Sequence, residues 1–571
     1  ISQSQKIAQF FGIDLYNNLR KLDLSESQKI EQFFGIDLYN NLRKLDLSDN
    51  YIEELNLGSS MPSRLEELYL GGNMISQISN ISQLSTLTHL DLSGNPVSEQ
   101  SDIMNILENN KNITHLLLND IVLTEVGFLG YPLPLEVLEI ENTGIRGIGF
   151  VSEFSNLKEL NVAKNVIESL QPLTSLQLLE KLNVNGNFLK SLDGITQLNN
   201  LVSLDVSHNP NLEKISLAEI INNNKGLKAL LLADMPLDSL ADLGGVFIES
   251  GGSKPADFQL KVLNIDSTRL HDVSALVNQP GLVDVSFREN SIVTFPDLSQ
   301  LMLLESLAVG NTGLDDYGVL SPVSGGLIEL DVSNNPLIGE FPFGDFVGLT
   351  SLNISGLGLK QLAGMELVVG LERLNISNNR LDGNDVEWFL STVSGLTDLD
   401  VSGNTLNGSY LMMNQLDTLR SLNISDMGID GVSAFYFPNL KKLNVSNNAA
   451  LTTDGLSGVE LLRLSELDIS DTQVTVSDFD LRATKLLNVR GSKTSISELI
   501  SKLAIMPLLE SLVVSDIYDE QWYQDPYALF QSIQHPLRIR KLDVAGMYRE
   551  GPLSLYQFNN LRWLSVKGTN Y

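Results

Sequence analysis

The sequence predicts an α/β solenoid: a stack of short strands joined by helices, 3₁₀ turns and loops. Three observations lead there. First, the phrase Leu-x-x-Leu-x-Leu-x-x-Asn, with Leu, Ile, Val or Phe at its apolar places, recurs about 24 times over 571 residues. The commonest step between copies is 22 residues. Second, each phrase carries the period-2 alternation of a strand with one buried face, as in Leu371–Asn379, where Leu374 and Ile376 flank Asn375. Third, some of the intervening segments place apolar residues at helical spacing. A lone three- or four-residue strand cannot bury its face, so each copy requires neighbours. A stack grows by adding units without enlarging a central core, so the length does not demand several globular domains. Residues 1–571 read as one solenoid.

The nine positions of the phrase are numbered one to nine. Position one falls at residues 19, 42, 65, 87, 113, 135, 157, 179, 201, 227, 260, 282, 304, 327, 349, 371, 396, 419, 440, 464, 484, 509, 539 and 561. Positions four and six point inward. The position-nine Asn can bond the backbone of the turn, where no strand partner exists. Thr143, Thr268, Thr312, Thr472 and Thr569, with Ser27 and Ser492, can keep part of that bonding. Ile121, Met235, Leu357, Met427, Ile517 and Met547 cannot, and altered turns are expected at those six units.

The first two units are nearly one sequence: Ser4–Ser25 recurs as Ser27–Ser48 with only Ala8 changed, to Glu31. Residues 1–48 therefore read as a duplication whose first copy is an edge unit or poorly ordered. Val97–Thr114, Leu212–Leu227, Leu381–Leu396 and Thr494–Glu510 carry helical spacing, and the remaining connections should be 3₁₀ or irregular. Residues 241–259, with their Gly pairs and Pro255, read as a protruding loop. Residues 517–530 form the most aromatic stretch.

With the repeat laid out, the chain resembles the leucine-rich repeat family over nearly its whole length. Leu179–Leu201 looks like the short repeats of bacterial internalins, and Leu330–Pro342 more like plant-type repeats. The resemblance implies a horseshoe or arc with a parallel β-sheet on the concave face and short helices, 3₁₀ turns and loops on the convex one. It also implies binding rather than catalysis.

Composition narrows the partners. With 70 acidic against 38 basic residues the net charge is −32. Such a surface repels nucleic acid and anionic membranes and favours cations or basic partners. No cysteine is present, which removes thiol catalysis, disulfides and cysteine-ligated metals. No run of about 20 apolar residues is present to span a bilayer. No cofactor motif is found: there is no phosphate loop, nucleophile elbow or HExxH. The chain starts at Ile1 and stops at Tyr571, and reads as processed or as part of a longer polypeptide.

Positions two, three, five and seven are expected on the concave face. Position five forms a ladder of Asp and Asn, including Asp331, Asn353, Asn375, Asp400, Asn423, Asn444 and Asp468. Beside it run Ser333, Ser355, Ser377, Ser402, Ser425, Ser446 and Ser470 at position seven. The ladder reads either as a polar surface for a protein or glycan ligand or as the ordinary wording of the strand. Glu67, His89 and His115 share position three in adjacent units and are a candidate metal or pH-sensitive group. Tyr518, Trp522, Tyr523 and Tyr527 are either binding anchors or a cover for the solenoid. A basic group, Arg540, Lys541 and Arg562 among it, would suit an acidic partner. Of the glycosylation sequons, Asn80 and Asn407 are the best placed.

The functional expectation is a non-catalytic recognition scaffold, extracellular or on a cell surface, with the cytoplasm as alternative. It would bind a protein or glycan through the concave face. The rival is a structural protein whose solenoids associate with each other; an enzyme is the third reading.

Overall fold

The structure is a computed structural model. It describes residues 9–10, 19–25, 32–33, 41–50, 52–55, 64–78, 81, 84–97, 100–123, 132–212, 215, 217–237, 239–241, 243, 260–406, 410–413, 416–433, 437–456, 463–517, 526–546, 555–558 and 561–567. Two compact units result, Ile1–Leu301 and Met302–Tyr571.

In both units each phrase forms one three-residue strand from positions three to five. In the first, the ladder runs from Lys21–Asp23 to Asp284–Ser286. In the second it runs from Ser306–Ala308 to Trp563–Ser565. The strands are parallel and pair without slippage, as in Leu352↔Leu374↔Leu399 and Asn353↔Asn375↔Asp400. Register is fixed because a one-residue slip would turn the buried leucines outward. Leu371, Leu374 and Ile376 are 3%, 3% and 0% exposed, so positions one, four and six build the core as expected. The first of the duplicated copies pairs in register with the second, Leu22↔Leu45, and keeps Leu22 half-exposed while Leu45 is fully buried.

Spacing decides what lies on the opposite side. Steps of 25 or 26 residues (113 − 87, 227 − 201, 396 − 371, 509 − 484) carry the helices Gln100–Asn109, Leu217–Asn223, Gly383–Thr392 and Ile496–Leu503. All four fall where the spacing predicts them. Ile103, Ile106 and Leu107 bury one stripe of the first. Ser495 and Glu498 close a reciprocal capping box on the last. Steps near 22 leave too few residues for a helix and give 3₁₀ turns such as Gln171–Ser175 and Met365–Leu367. Two small parallel pairings were not expected: Gln9–Phe10 with Gln32–Phe33 and Glu54–Leu55, and Tyr410–Met412 with Gly431–Ser433. Among the described residues no helix is long and apolar enough to cross a membrane.

The six units without Asn or a hydroxyl at position nine need a correction. Their turns are not altered. Position eight is left-handed in every described unit from residue 42 to residue 539, whatever follows it. The φ values are 53° at Asn378 and 54° at Asp49, against 63° at Asp120, 57° at Asp234, 68° at Gly356, 53° at Asp426 and 57° at Asp516. Position eight in these units is Asp or Gly, which tolerate the conformation well, and Lys164, His208, Ser267 and Glu289 adopt it in others. Ile121, Met235, Leu357, Met427 and Ile517 fill the buried slot that Asn occupies elsewhere. Met547 lies outside the described residues.

Candidate functional site

The ladder must first satisfy its own backbone. Position-six and position-eight N–H groups donate to the next strand, as in Ile376 N to Asp400 O (2.9 Å) and Asn378 N to Ser402 O (2.8 Å). That leaves the position-seven N–H and the position-six carbonyl off the ladder. Asn379 Nδ2 donates to Ile376 O (2.9 Å), Ser377 O (3.2 Å) and, one unit back, Ile354 O (3.0 Å). Its Oδ1 accepts from Leu359 N at 3.0 Å. Threonine keeps the local bond: Thr143, Thr268, Thr312 and Thr472 each donate to their own position-six carbonyl, at 2.7–3.0 Å. Thr569 and Ser27 lie outside the described residues. Ser492 turns instead to Thr494 Oγ1, at 3.0 Å.

Position five takes the remaining N–H. Oδ1 of Asp331, Asn353, Asn375, Asp400, Asn423, Asn444 and Asp468 accepts from the position-seven N–H at 2.9–3.2 Å. The side chain thus closes an Asx turn at the strand end. Position seven is a second correction to the expected surface: Ser333, Ser355, Ser377, Ser402, Ser425, Ser446 and Ser470 are only 4–9% exposed. The hydroxyls of Ser355, Ser402, Ser425 and Ser470 donate into the Asx turn, as in Ser402 Oγ to Asp400 Oδ1 (2.6 Å), and the open face is left to positions two, three and five.

In four units where position five does not close this turn, the preceding unit's position seven does. Ser93 Oγ accepts from Asn119 N (3.2 Å) beside Leu117, and Asn119 Oδ1 accepts from Glu141 N (2.8 Å) beside Glu139. Ser207 Oγ accepts from Ala233 N (3.0 Å) beside Leu231, and Asp266 Oδ1 from Arg288 N (2.7 Å) beside Ser286. The sequence reading missed this substitution. Its signal is Ser, Asn or Asp at position seven one unit before a position five that is neither Asp nor Asn.

The second unit's ladder also bonds sideways. Asn423 Nδ2 donates to Asp400 Oδ2 (2.9 Å), and Asn488 Nδ2 to Asp468 Oδ2 (2.8 Å). In its middle lies an open hollow of about 350 Å³, lined by Ser351, Asn353, Arg373, Asn375, Asp398, Asp400, Ser421 and Asn423. Arg373 reaches back over Ser351 to pair with Glu329. Thr397 Oγ1 holds Asp398 Oδ2 at 2.7 Å. Lys442 pairs with Glu466 further along. One cation, two carboxylates and several amides therefore share one shallow surface. It can take up hydrogen-bond donors and acceptors, and no nucleophile–base pair lies in it.

In the first unit, Glu67, His89 and His115 are register partners, as their shared position predicts. The imidazoles stack, with centroids 4.0 Å apart and planes 18° from parallel. Each Nδ1 lies 2.9 Å from the hydroxyl of the preceding residue, Thr88 or Thr114. Glu67 Oε2 is engaged by Lys44 Nζ (3.6 Å) and the Tyr69 hydroxyl (3.3 Å). Among the described residues no group of three His, Cys, Asp or Glu side chains is placed to hold a metal ion, and this trio is no exception. Burial, reinforced by the His115 charge, pushes His89 below the usual histidine value. Burial likewise raises Asp91, outweighing its two bonds from Ser93. At Asp23 the corresponding bonds from Ser25 win and lower the carboxyl.

Tyr518, Trp522 and Tyr523 lie outside the described residues, as do 244–259, Asn80 and Asn407. Tyr527 belongs to the short helix Pro526–Gln531. Lys541 Nζ sits 5.0 Å over the Trp563 ring.

Comparison with known proteins agrees with the repeat geometry. Family models described as Leucine rich repeat match residues 40–97 and 370–391. The chain contains leucine-rich repeats. No curated protein matches this repeat chain significantly. Among solved structures, the repeat protein is similar to the ectodomain of the plant membrane receptor kinase GASSHO1/SCHENGEN3 from Arabidopsis thaliana, solved with CASPARIAN STRIP INTEGRITY FACTOR 2. That match has 19% identity, covers 97% of this chain and 77% of the other, and has a TM-score of 0.43. A leucine-rich repeat protein of Leptospira interrogans matches at 22% identity, with 69% and 94% of the two chains covered and a TM-score of 0.38. The functional domain of InlJ from Listeria monocytogenes matches at 18% identity, with 70% and 74% covered and a TM-score of 0.40.

Proposed function

We propose that this chain is a non-catalytic recognition scaffold that binds a protein partner through the ladder face of residues 302–571. The observation that carries the reading is the hollow around Arg373, Asp398 and Asp400, where charged and amide groups share one shallow, accessible surface. An extended polypeptide offers N–H and C=O groups along both edges, at a rise of about 3.3 Å per residue, and so can bond the donors and acceptors of such a surface. The position-five residues contribute through the oxygen or amide that the Asx turn leaves free. The reading places the protein outside the cell or on its surface.

An array of peptides and glycans probed with the intact chain tests it. A peptide bound by the wild type, and bound about tenfold more weakly by Arg373→Ala or Asp398→Ala, supports the reading. Capture of glycans alone, or peptide binding indifferent to both substitutions, overturns it.

A further inference from the structure

The stacked histidines of the first unit lie on the ladder face among Glu67, Tyr69, Asp91 and Leu117, and their hydrogen bonds admit a tautomer that presents Nε2 as an acceptor. Thr88 Oγ1 has a single hydrogen, and it is given to Glu66 O at 3.1 Å. Thr114 Oγ1 gives its own to Thr88 O at 3.2 Å. With those hydrogens on the carbonyls, each hydroxyl accepts from the neighbouring imidazole, in the tautomer that carries the proton on Nδ1 of His89 and of His115. In that tautomer Nε2 of both rings is an acceptor. The stacking sets these two lone pairs side by side, about one ring spacing apart.

The surroundings favour a cation. Along the same strands stand Glu67 and Asp91, and beyond them Glu136 and Glu139. Lys44 is already paired with Glu67 and lies 4.2 Å over the Tyr69 ring, and Lys158 is paired with Glu136. The chain thus already packs one cation against this acidic and aromatic surface. Leu117 and Val137, half-exposed on the next strands, offer apolar area for an alkyl stem.

We propose that His89 and His115 form an acceptor site for the guanidinium group of a basic partner segment, and that acid releases it. A guanidinium presents several N–H donors in one plane and stacks or packs its stem against apolar surface, whereas an ammonium is a compact point charge. Protonation of either imidazole turns Nε2 from acceptor to donor and adds a like charge beside the guanidinium. The site lies among residues 44–139 and is independent of the hollow in the second unit.

The test uses the full-length chain and a fluorescent hexa-arginine peptide at moderate salt, at about pH 7.5 and about pH 5. His89→Phe/His115→Phe keeps stacked rings and removes both acceptors, and should weaken binding about tenfold at the higher pH. His89→Gln/His115→Gln keeps an acceptor that does not titrate, and should bind with little dependence on pH. Wild type should lose most of its affinity at the lower pH. Asp315→Asn/Asp345→Asn, exposed and outside the ladder of the second unit, should leave binding within about twofold. Affinity unchanged in the Phe variant, equal loss in the second-unit variant, or a pH response retained by the Gln variant each overturn the proposal. Equal, histidine-dependent binding of hexa-lysine overturns the choice of guanidinium.

Discussion

The ladder from Asp331 to Asp468 and the stretch from Glu67 to Glu139 use the same strand for opposite ends. In the first, Asp or Asn at position five folds down onto its own backbone, and the neighbouring serine is buried beside it. Side-chain polarity there is largely internal. In the second, Asp91 still closes its own turn, but Tyr69, Leu117 and Glu139 hold the other position-five places, and the Asx turn they cannot make is replaced, for Leu117 and Glu139, by Ser93 and Asn119 of the preceding units. Position five is then released for the surface. A row of polar letters can be scaffolding, while the departures from it are free to meet a partner.

That contrast can be broken in three places. The largest effect should come from the core the two regions share. Leu374→Ala removes a buried position-four side chain and should cost about 2–5 kcal/mol in urea unfolding. A loss near zero would mean that position four does not carry the packing. A smaller effect separates scaffolding from surface. Asp400→Leu strips Ser402 N of its 3.0 Å acceptor and should cost about 1 kcal/mol, while Asp400→Asn should cost much less, because an amide oxygen can still close the turn. Equal losses would refute the Asx role. The smallest effect belongs to His89. Its value in the folded chain lies below the ordinary value of 6.5, so the neutral ring is favoured on folding. Its contribution is therefore complete above about pH 6.5 and is lost as pH falls through and below that value. Urea midpoints should decline slightly over that window, and His89→Phe should flatten the decline. A midpoint that rises there would reverse the assignment.

The core was legible because burial writes itself into spacing: Leu371, Leu374 and Ile376 could only face one way. The position-nine Asn was legible for the same reason, as a polar residue at a fixed place in an apolar frame. The helices followed from longer steps and from Ile103, Ile106 and Leu107. The roles of positions five and seven were not legible, because Asp, Asn and Ser look alike whether they face solvent or their own backbone. The turns at Ile121 and Met427 were misread through attention to position nine, when Asp120 and Asp426 adopt the left-handed conformation one residue earlier. At the candidate site, the shared position of Glu67, His89 and His115 was readable. The stacking and the tautomer were not, since they depend on Thr88 and Thr114, whose side chains point where only the structure shows.

The Asn bonds link each phrase to the carbonyl of the phrase before it, and Asn73 and Asn95 repeat them without change, at 2.8 Å to Leu47 O and Leu70 O. Every junction between such phrases is therefore interchangeable with every other. A whole unit can be copied into the chain and find the same partners above and below, and the strands of the two near-identical copies, Lys21–Asp23 and Lys44–Asp46, pair in register. Loss of half a unit would instead strand a carbonyl and misplace a left-handed residue. Length in this protein is free to drift in whole steps, while the wording of each step is held fast.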